Sequence, residues 1–422
     1  MFKKIKRFFK ALGPGFITGA SDDDPSGIAT YSQTGAQFGY SQLWTAFFST
    51  PFMVVVQEMC GRIGLVTGQG LAAVIRNHYS KKLLYFSVGI LLIANTINIG
   101  ADLGAMAEAA HVVTGIPFPI LILLITAFTL GLEIFVSYRV YAKFLKYLTL
   151  SLLTYVLTVF LIQQDWGHIA VSTFLPAISF NHAYILNIVA ILGTTISPYL
   201  FFWQADEEIE EKLVKEKKES IEDGISRTNK RELKRMRLDT TIGMLFSNCI
   251  MFFIITTTAS TLNVHGITDI TSATQAAEAL RPIAGDFASL FFALGIFGTG
   301  LLAVPVLAGS ASYAVAESLN WKSGLYRKFE QAHGFYGIIT IATLVGLIVN
   351  FTSIPAFKML YYAAVFNGIA VPPLLILITL IANNKKIMGR HTNSRLSNIG
   401  ALIVIGIMSA ATLFLAVDFF IA

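Results

Sequence analysis

Long apolar runs alternate with short polar segments along almost the whole chain. Each run is about 20 residues long, the length of an α-helix that crosses the hydrocarbon core of a bilayer. The pattern therefore predicts an all-α membrane protein with about eleven transmembrane helices. The predicted spans are 12–37, 42–66, 83–110, 117–138, 140–162, 183–205, 241–262, 286–316, 335–351, 356–382 and 397–420.

Polar residues interrupt two of these spans. The first contains the segment SDDDPSG at 21–27, and the sixth contains GTTISPY at 193–199. The two breaks are five helices apart and occupy corresponding positions in two halves of opposite orientation. Paired interruptions of this kind are typical of inverted-repeat transporters, in which discontinuous helices enclose a solute site near the middle of the membrane. The sequence therefore predicts a LeuT-like fold in which helices 1 and 6 are broken.

Charge along the chain agrees with these spans and orients them. Only 13% of the residues are charged, 55% are hydrophobic and the mean hydropathy is +0.65, which excludes an ordinary soluble domain. If the N-terminus is cytoplasmic, 29 of the 31 Lys and Arg residues fall in cytoplasmic connections, and only Arg281 and Lys358 lie outside. This partition follows the positive-inside rule. It also assigns the net charge of +6 to contact with anionic lipid headgroups rather than with nucleic acid.

One connection differs from the others in composition. Residues 206–239 are mostly charged, with both signs mixed, and they predict a cytoplasmic loop that is partly helical, with i,i+4 pairs such as Glu211 with Lys215.

We expect the whole chain, 1–422, to form a single transmembrane transporter domain in the plasma membrane. Its predicted parts are the inverted repeats at about 12–162 and 183–382, the charged loop, and an additional helix at 397–420.

A proline gives each break a physical cause. Pro25 has no amide hydrogen, so the carbonyl of Ser21, four residues earlier, loses its helical partner, and Pro198 does the same to Thr194. A carbonyl that is freed in hydrocarbon costs several kcal/mol unless a bound cation or water satisfies it. The C-terminus of each half-helix also carries partial negative charge, which favours a cation at the break.

Asp24 lies at the first break and is the main candidate ligand. A carboxylate at membrane depth is a functional candidate by default, although the amides of the second half-helix could also satisfy it as an N-cap. Asp23 is a further candidate, and either Asp22 or Asp23 could instead lie at a water-filled mouth and raise the local cation concentration. Neutral oxygens accompany these acids in the side chains of Ser26, Thr194, Ser197, Tyr199 and Gln204.

The types of donor at the breaks determine the expected solute. Neither break contains sulfur or imidazole, and all-oxygen sites suit Mg²⁺, Ca²⁺ or Mn²⁺. We expect Asp24, with the Ser21 and Thr194 carbonyls, to bind a divalent cation that keeps part of its water shell. The metal ion would be the substrate, so no cofactor is implied. The alternative is a carrier of the same fold for a small organic solute or cation. A channel is less favoured, and no clustered nucleophile or His/Asp/Cys arrangement indicates an enzyme.

The first two spans resemble a known family. The segment GPGFITGASDDDPSGIATYSQTGAQFGY at 13–40 is similar to the first helix of the natural resistance-associated macrophage protein (NRAMP) family of metal-ion transporters, whose break usually reads Asp-Pro-Gly-Asn. The run from Gln57 to Ala72 resembles the family's second helix, with its Gln, Arg-Leu-Gly, Thr-Gly and Leu-Ala. Shorter matches follow in order, so that the resemblance covers about 10–390: Asp102-Leu103, Tyr138-Arg139, Val371-Pro372 and Ile387-Met388-Gly389.

The departures from the family pattern concern the metal ligands. Gly27 stands where the family has the Asn of its first break, and SPY at 197–199 replaces the Met-Pro-His of the sixth helix. Gln204 replaces a second histidine, and in span ten Ala364 replaces a glutamine, with Asn367 one turn away. In typical members the methionine selects Mn²⁺ and Fe²⁺ over Ca²⁺ and Mg²⁺. The resemblance therefore implies a hard-ion site like that of the magnesium-transporting branch of the family, with Mg²⁺ or Mn²⁺ as substrate.

Proton coupling in the family runs from the aspartate of the site through histidine and acids of the third helix. This chain keeps Asp102, with Glu108 nearby, either as a proton path or as an interhelical polar contact. Tyr199 and Gln204 carry no group that titrates near neutral pH, so the usual route is incomplete here. The sequence indicates neither the direction of transport nor the oligomeric state.

Overall fold

The computed structural model describes residues 13–136, 153–216, 228–352 and 354–421 of the chain. All regular secondary structure in these ranges is helical, as the hydrophobic pattern predicts. The N-terminal basic cluster, most of the predicted span 140–162 and the Tyr138-Arg139 match lie outside the described residues.

The described α-helices are numbered here in chain order. The first ten are α1 (Pro14–Asp22), α2 (Pro25–Phe38), α3 (Trp44–Thr67), α4 (Leu71–His78), α5 (Lys81–Thr114), α6 (Phe118–Phe135), α7 (Leu153–Leu161), α8 (Trp166–Phe174), α9 (His182–Thr195) and α10 (Pro198–Lys215). The others are α11 (Lys230–Thr261), α12 (Ala273–Glu278), α13 (Arg281–Ala284), α14 (Ala288–Ser318), α15 (His333–Val349), α16 (Ala356–Asn383), α17 (Lys385–Met388) and α18 (Arg395–Ile421). Single 3₁₀ turns occur at Asn263–His265, Gly285–Phe287 and Phe329–Gln331.

Both predicted breaks are present. The first predicted span is divided into α1, of 9 residues, and α2, of 14, which are separated by Asp23 and Asp24. In the same way α9 and α10 are separated by Ile196 and Ser197. Seven helical stretches in the described ranges are long and apolar enough to cross a membrane, and α15, at 17 residues, is a shorter apolar helix.

Helix α11 holds the first half of the broken helix 1 in place. Gly19 has no side chain, and the backbone of Gly243 occupies the space that a Cβ at position 19 would need. The Asp239 carboxylate accepts hydrogen bonds from the amides of Gly13 (2.9 Å) and Gly15 (2.8 Å). It supplies the N-terminal cap that α1 lacks, because the N-cap residue Gly13 has no side chain. Contacts between distant segments therefore fix α1.

Helix α5 carries a polar face to the first break. It is 34 residues long and packs against α14, α15 and α16. Asn95 ties it to α14 by donating to the Leu307 carbonyl (2.9 Å) and to the hydroxyl of Ser310 (2.6 Å). Asn98 and Asp102 follow on the same face at helical spacing, so this attachment brings both of them toward the break.

The charged segment 206–239 differs from the predicted loop at both ends. Helix α10 continues to Lys215 and α11 begins at Lys230, and only 217–227 lies outside the described residues. The expected pair of Glu211 with Lys215 forms at 2.7 Å. Such i,i+4 pairs, and a capping box at the start of α11, stabilise the extended helices. Several acids in these extensions are buried against other helices: Asp206, Glu208, Glu210 and Asp239.

Candidate functional site

Asp24 is buried between the two halves of the first broken helix. It is the N-cap of α2, and its Oδ1 accepts hydrogen bonds from the amide of Gly27 (2.7 Å) and the hydroxyl of Ser26 (2.6 Å). The chain folds this way because aspartate is a preferred N-cap and Pro25 is suited to the first helical position. Capping engages one carboxylate oxygen and leaves Oδ2 free to contact another helix.

The second oxygen of Asp24 contacts α5. The side-chain amide of Asn98 donates to Oδ2 at 3.1 Å. Asp102 lies one turn further along α5 and is fully buried, and the backbone amide of Ser26 is its neighbouring donor. The charge of Asp24 acts on Asp102 electrostatically. Sequence reasoning selected Asp102 and missed Asn98, for which the four-residue spacing from Asp102 was the available signal.

Asp22 and Asp23 are both fully buried, so the interpretation of either one as a residue of a water-filled mouth is wrong. The Ser247 hydroxyl of α11 lies 2.6 Å from Oδ2 of Asp22 and 3.1 Å from Oδ1 of Asp23. A hydroxyl has one hydrogen, so it donates to only one of these carboxylates. The other oxygen of each residue has no partner in the described part of the chain. Ser247 was not a candidate from the sequence, because a serine in an apolar helix carries no distinguishing signal.

The two carbonyls freed by the prolines are both contacted by hydroxyl groups. Tyr199 of α10 donates to the Ser21 carbonyl at 2.9 Å, which joins the two broken helices directly. The hydroxyl of Ser197 lies within hydrogen-bond distance of the carbonyls of Gly193 (2.8 Å) and Thr194 (2.7 Å). A carbonyl oxygen has two lone pairs, so the Ser21 and Thr194 carbonyls each retain one that can bind a cation.

Three other predicted residues make no described hydrogen bond to Asp24. Gln204 accepts a hydrogen bond from Thr18 (2.6 Å) and donates to Glu208 (2.9 Å), six residues after the start of α10 and hence about 9 Å along the helix. Glu108 accepts from the first amide of α12 at 3.0 Å. Asn367 of α16 is buried, and its side-chain nitrogen has no partner among the described residues. The described hydrogen bonds connect none of the three to Asp24.

Four buried carboxylates near the first break have no described cationic partner. Asp22, Asp23, Asp24 and Asp102 are each at most 1% exposed, and none takes part in the ion pairs of the described residues. Buried anions without a counter-charge are strongly disfavoured in a membrane. In the same ranges, no group of three or more His, Cys, Asp or Glu side chains has the geometry to hold a metal ion. A cation bound here would therefore rely on carboxylate, carbonyl and hydroxyl oxygens together with water.

The sequence from residue 15 to residue 418 matches the Nramp family, described as natural resistance-associated macrophage protein-like. The chain belongs to the Nramp family. Its relatives include the divalent metal cation transporter MntH of Caldanaerobacter subterraneus subsp. tengcongensis, which is 24% identical over 409 residues, with 95% of this chain and 91% of the relative covered. The MntH of Agrobacterium fabrum is 29% identical over 312 residues, with 71% and 63% covered.

Solved structures agree with this fold. The Eremococcus coleocola manganese transporter superposes with a TM-score of 0.77 at 16% identity, over 96% of this chain and 86% of that one. The nucleobase-cation-symport-1 family transporter Mhp1 superposes with a TM-score of 0.62 at 13% identity, over 96% and 90%. At these identities the likeness concerns the fold alone. The prediction of an all-α, LeuT-like fold with two broken helices is confirmed.

Some of the departures from the family pattern fall at the two breaks, whereas Gln204 and Ala364 lie outside them. Gly27 and Ser197 stand at buried positions in the first and second break, and Tyr199 bridges the two. Oxygen donors therefore replace the thioether and imidazole groups of the family pattern. Gln204 makes its hydrogen bonds to Thr18 and Glu208. The presence of glutamine instead of the family histidine at position 204 therefore does not alter the groups that touch Asp24.

A cavity of about 310 Å³ lies along α2, beyond the first break. Its lining includes Ala29 and Gln33 of α2, together with Asp269 and Lys358, which pair with one another at 3.5 Å. On the opposite side of the break, α1 is closely packed against α11 at Gly19. A second cavity, of about 380 Å³, lies at the start of α1, where its lining includes Gly13 and Asp239.

Proposed function

We propose that this Nramp protein is a secondary transporter of hard divalent cations, with Mg²⁺ or Mn²⁺ as substrate, which binds the ion at the two helix breaks. Asp24 is the charged ligand, and the Ser21 and Thr194 carbonyls are neutral ligands. Ser26, Ser197 and Tyr199 position these groups by hydrogen bonds. Asp23 supplies further negative charge.

The observation that carries this proposal is the set of four buried carboxylates without a described cationic partner. Three of them are consecutive in the first break, and the fourth, Asp102, faces Asp24 from α5. A divalent cation offsets two of these negative charges, whereas a neutral or zwitterionic solute offsets no net charge. The observation therefore favours a metal ion over the organic solute that the fold would also accommodate.

The neighbouring donors favour a hard cation. Hydroxyls and carbonyls surround Asp24, and in the described part of the chain no His, Cys or Met side chain makes a hydrogen bond to it. Mg²⁺ sheds its water reluctantly and prefers oxygen ligands, so a site with few direct ligands suits an ion that retains water. Loss of the thioether removes the group that attracts softer metals.

Alternating access requires the two sides of the break to open in turn. In this conformation a cavity along α2 lies on the predicted outer side; on the predicted cytoplasmic side α1 packs closely against α11 at Gly19, and a second cavity lies at Gly13 and Asp239. Release to the cytoplasm requires α1 to separate from Gly243 and Asp239 of α11. We place the N-terminus in the cytoplasm of a plasma-membrane protein, on the distribution of Lys and Arg.

Uptake into proteoliposomes tests the function. Initial rates are measured for Mg²⁺, Mn²⁺, Ca²⁺ and a small panel of organic solutes, with the internal pH recorded by a trapped dye. We expect saturable uptake of Mg²⁺ and Mn²⁺, which compete at comparable concentrations. The absence of divalent-cation uptake together with uptake of an organic solute would overturn the proposal. A pH change that accompanies uptake would show proton coupling, and no change would show uncoupled transport.

Cysteine labelling tests the orientation. Lys230, at the start of α11, and Asp269, in the connection between α11 and α12, are both exposed. In intact cells a membrane-impermeant maleimide should label Asp269→Cys and leave Lys230→Cys unlabelled until the cells are opened. Labelling of Lys230→Cys from outside would reverse the assigned orientation.

A further inference from the structure

Gly27 leaves a small space at the first break. A Cβ at this position would lie 3.1 Å from the Asp22 carbonyl oxygen, 3.2 Å from the hydroxyl of Thr194 and 3.3 Å from Cε2 of Tyr31. Separations between 3.0 and 3.4 Å are tighter than almost all Cβ contacts. A Cβ at position 27 therefore requires these neighbours, which come from both broken helices, to move by a few tenths of an ångström.

Tyr31 fills the volume that a larger residue at position 27 would need. It lies four residues further along α2, so the two positions share one face of the helix. Its side chain is fully buried, and its ring edge rests on Gly27. No aspect of the sequence pattern selected it, because an aromatic residue in an apolar helix reads as ordinary packing.

The hydroxyl of Tyr31 is directed toward the polar groups of the break. The charges of Asp22, Asp23 and Asp24 all act on it, and the Thr194 side chain neighbours it. The Tyr31 and Thr194 hydroxyls interact with each other, and neither makes another hydrogen bond within the described residues. A hydroxyl has one donor and two acceptor sites, so both groups keep hydrogen-bonding capacity for a bound water or ion.

We propose that Gly27 and Tyr31 act as a pair. Because Gly27 has no side chain, the Tyr31 ring can occupy the adjacent space and place its hydroxyl at the cation site. Together with the Thr194 hydroxyl and the Asp22 carbonyl, Tyr31 forms a wall of neutral oxygens opposite Asp24. These groups hydrogen-bond the water that a hard divalent cation retains. The inference rests on the proposed function, and it assigns a specificity role to residues outside the set predicted from the sequence.

Removal of one hydroxyl tests the role of Tyr31. Isothermal titration of the purified full-length protein in detergent measures the Kd for Mg²⁺ in the wild type and in Tyr31→Phe, which preserves the ring and its packing. We expect about a fivefold weaker Mg²⁺ affinity, since one hydrogen bond contributes about 1 kcal/mol and a decade corresponds to about 1.4 kcal/mol. Tyr155→Phe is the control, because Tyr155 is also fully buried but lies on α7, and its hydroxyl neighbours Ser32 rather than the carboxylates of the break.

A double-mutant cycle tests the pairing. Gly27→Asn introduces a side chain that meets the Tyr31 ring, so we expect it to weaken Mg²⁺ binding at least about tenfold, the scale of coupling between residues in contact. Tyr31→Ala removes the obstruction, and the double variant Gly27→Asn/Tyr31→Ala should bind divalent cations at least as tightly as Gly27→Asn alone. Size-exclusion profiles and thermal unfolding establish that each variant is folded.

The outcomes separate this inference from the proposed function. Unchanged Mg²⁺ affinity in Tyr31→Phe, or additive effects of the two substitutions in the cycle, would overturn the pairing while wild-type transport of divalent cations stands. Equal losses in Tyr31→Phe and Tyr155→Phe would also overturn it, because the effect would then be general. If the wild type binds no divalent cation, the proposed function fails and this inference fails with it.

Discussion

Acidic side chains are buried at two levels of this protein, and their partners differ. At the predicted cytoplasmic end, Glu58 pairs with Arg62 at 3.2 Å and with Arg237 at 2.9 Å. Asp239, also at that end, accepts two backbone amides of α1. At the first break, the carboxylates of Asp22, Asp24 and Asp102 meet only neutral donors among the described residues.

This contrast separates structural from functional acids. A buried carboxylate that is paired with arginine or with helix amides stabilises the fold, and its removal leaves a cation or an amide unsatisfied. A buried carboxylate without a counter-charge keeps its negative potential available for a ligand. Burial alone does not distinguish structural from functional carboxylates, whereas the groups that hydrogen-bond or pair with them do. The contrast predicts that variants at the break lose cation binding with little loss of stability. Variants at the cytoplasmic end should lose stability with little loss of cation binding.

The largest effect is expected for Asp24→Asn. The change is nearly isosteric, so the N-cap geometry survives while the charge beside the freed carbonyls is removed. For a divalent cation we expect at least about a hundredfold loss of affinity, at about 1.4 kcal/mol per decade. Initial uptake rates against cation concentration, at matched protein density in proteoliposomes, measure it. Unchanged divalent-cation uptake would remove Asp24 as a ligand.

Glu58→Gln should show the opposite pattern. It removes the charge that holds Arg62 and Arg237, and a broken buried pair costs about 3–5 kcal/mol of stability. We expect a lower midpoint of thermal unfolding in detergent and an unchanged Kd for Mg²⁺ at a temperature where the variant is folded. Weakened binding with unchanged stability would contradict the distinction between the two levels.

A smaller effect is expected for Asn98→Ala. It removes the only described side chain of α5 that donates to Asp24, and a hydrogen bond to a charged group contributes about 1.5–3 kcal/mol. We expect roughly a tenfold to hundredfold change in Mg²⁺ affinity. Asn95→Ala is the control, because Asn95 lies on the same helix and bonds to α14 instead. Equal changes in the two variants would assign the effect to helix packing.

The smallest effect is expected for Ser197→Met, and it is a change of preference. The substitution removes the hydroxyl that contacts the Gly193 and Thr194 carbonyls and introduces a thioether at the second break. We expect the ratio of Mn²⁺ to Mg²⁺ affinity to rise by roughly tenfold, because a thioether attracts softer ions and favours their dehydration. Competition between the two ions for uptake measures this ratio. A ratio equal to that of the wild type would show that position 197 does not set selectivity.

Much of the fold could be predicted because its signals are local. A run of about 20 apolar residues determines a span, and a proline with an aspartate inside such a run determines a break. Predictions for Ser21, Asp24, Thr194, Ser197 and Tyr199 relied on this reasoning, and the structure brings these residues together. The length of α10 and α11 was underestimated, because charged residues in helices that leave the membrane have the composition of a loop.

The residues that sequence reasoning missed all act across long separations. Asn98 hydrogen-bonds to Asp24, which is 74 positions away in the sequence, and Ser247 contacts Asp22, which is 225 positions away. Each reads as an ordinary polar residue of its own helix. Gln204 was assigned to the site because it is near the second break in sequence. It lies six residues after the start of α10, and its side chain contacts Thr18 and Glu208 instead.

The sequence by itself determined the membrane spans, the two breaks and the acid at the first of them, since hydropathy, proline and charge act within a few residues. Only the tertiary structure decided which acids have partners. Whether a carboxylate meets Arg237, a backbone amide or only neutral groups depends on how helices pack, and that is settled by contacts between residues 179 to 225 positions apart. The charge left uncompensated at the break, from which the cation site is inferred, is a property of that packing.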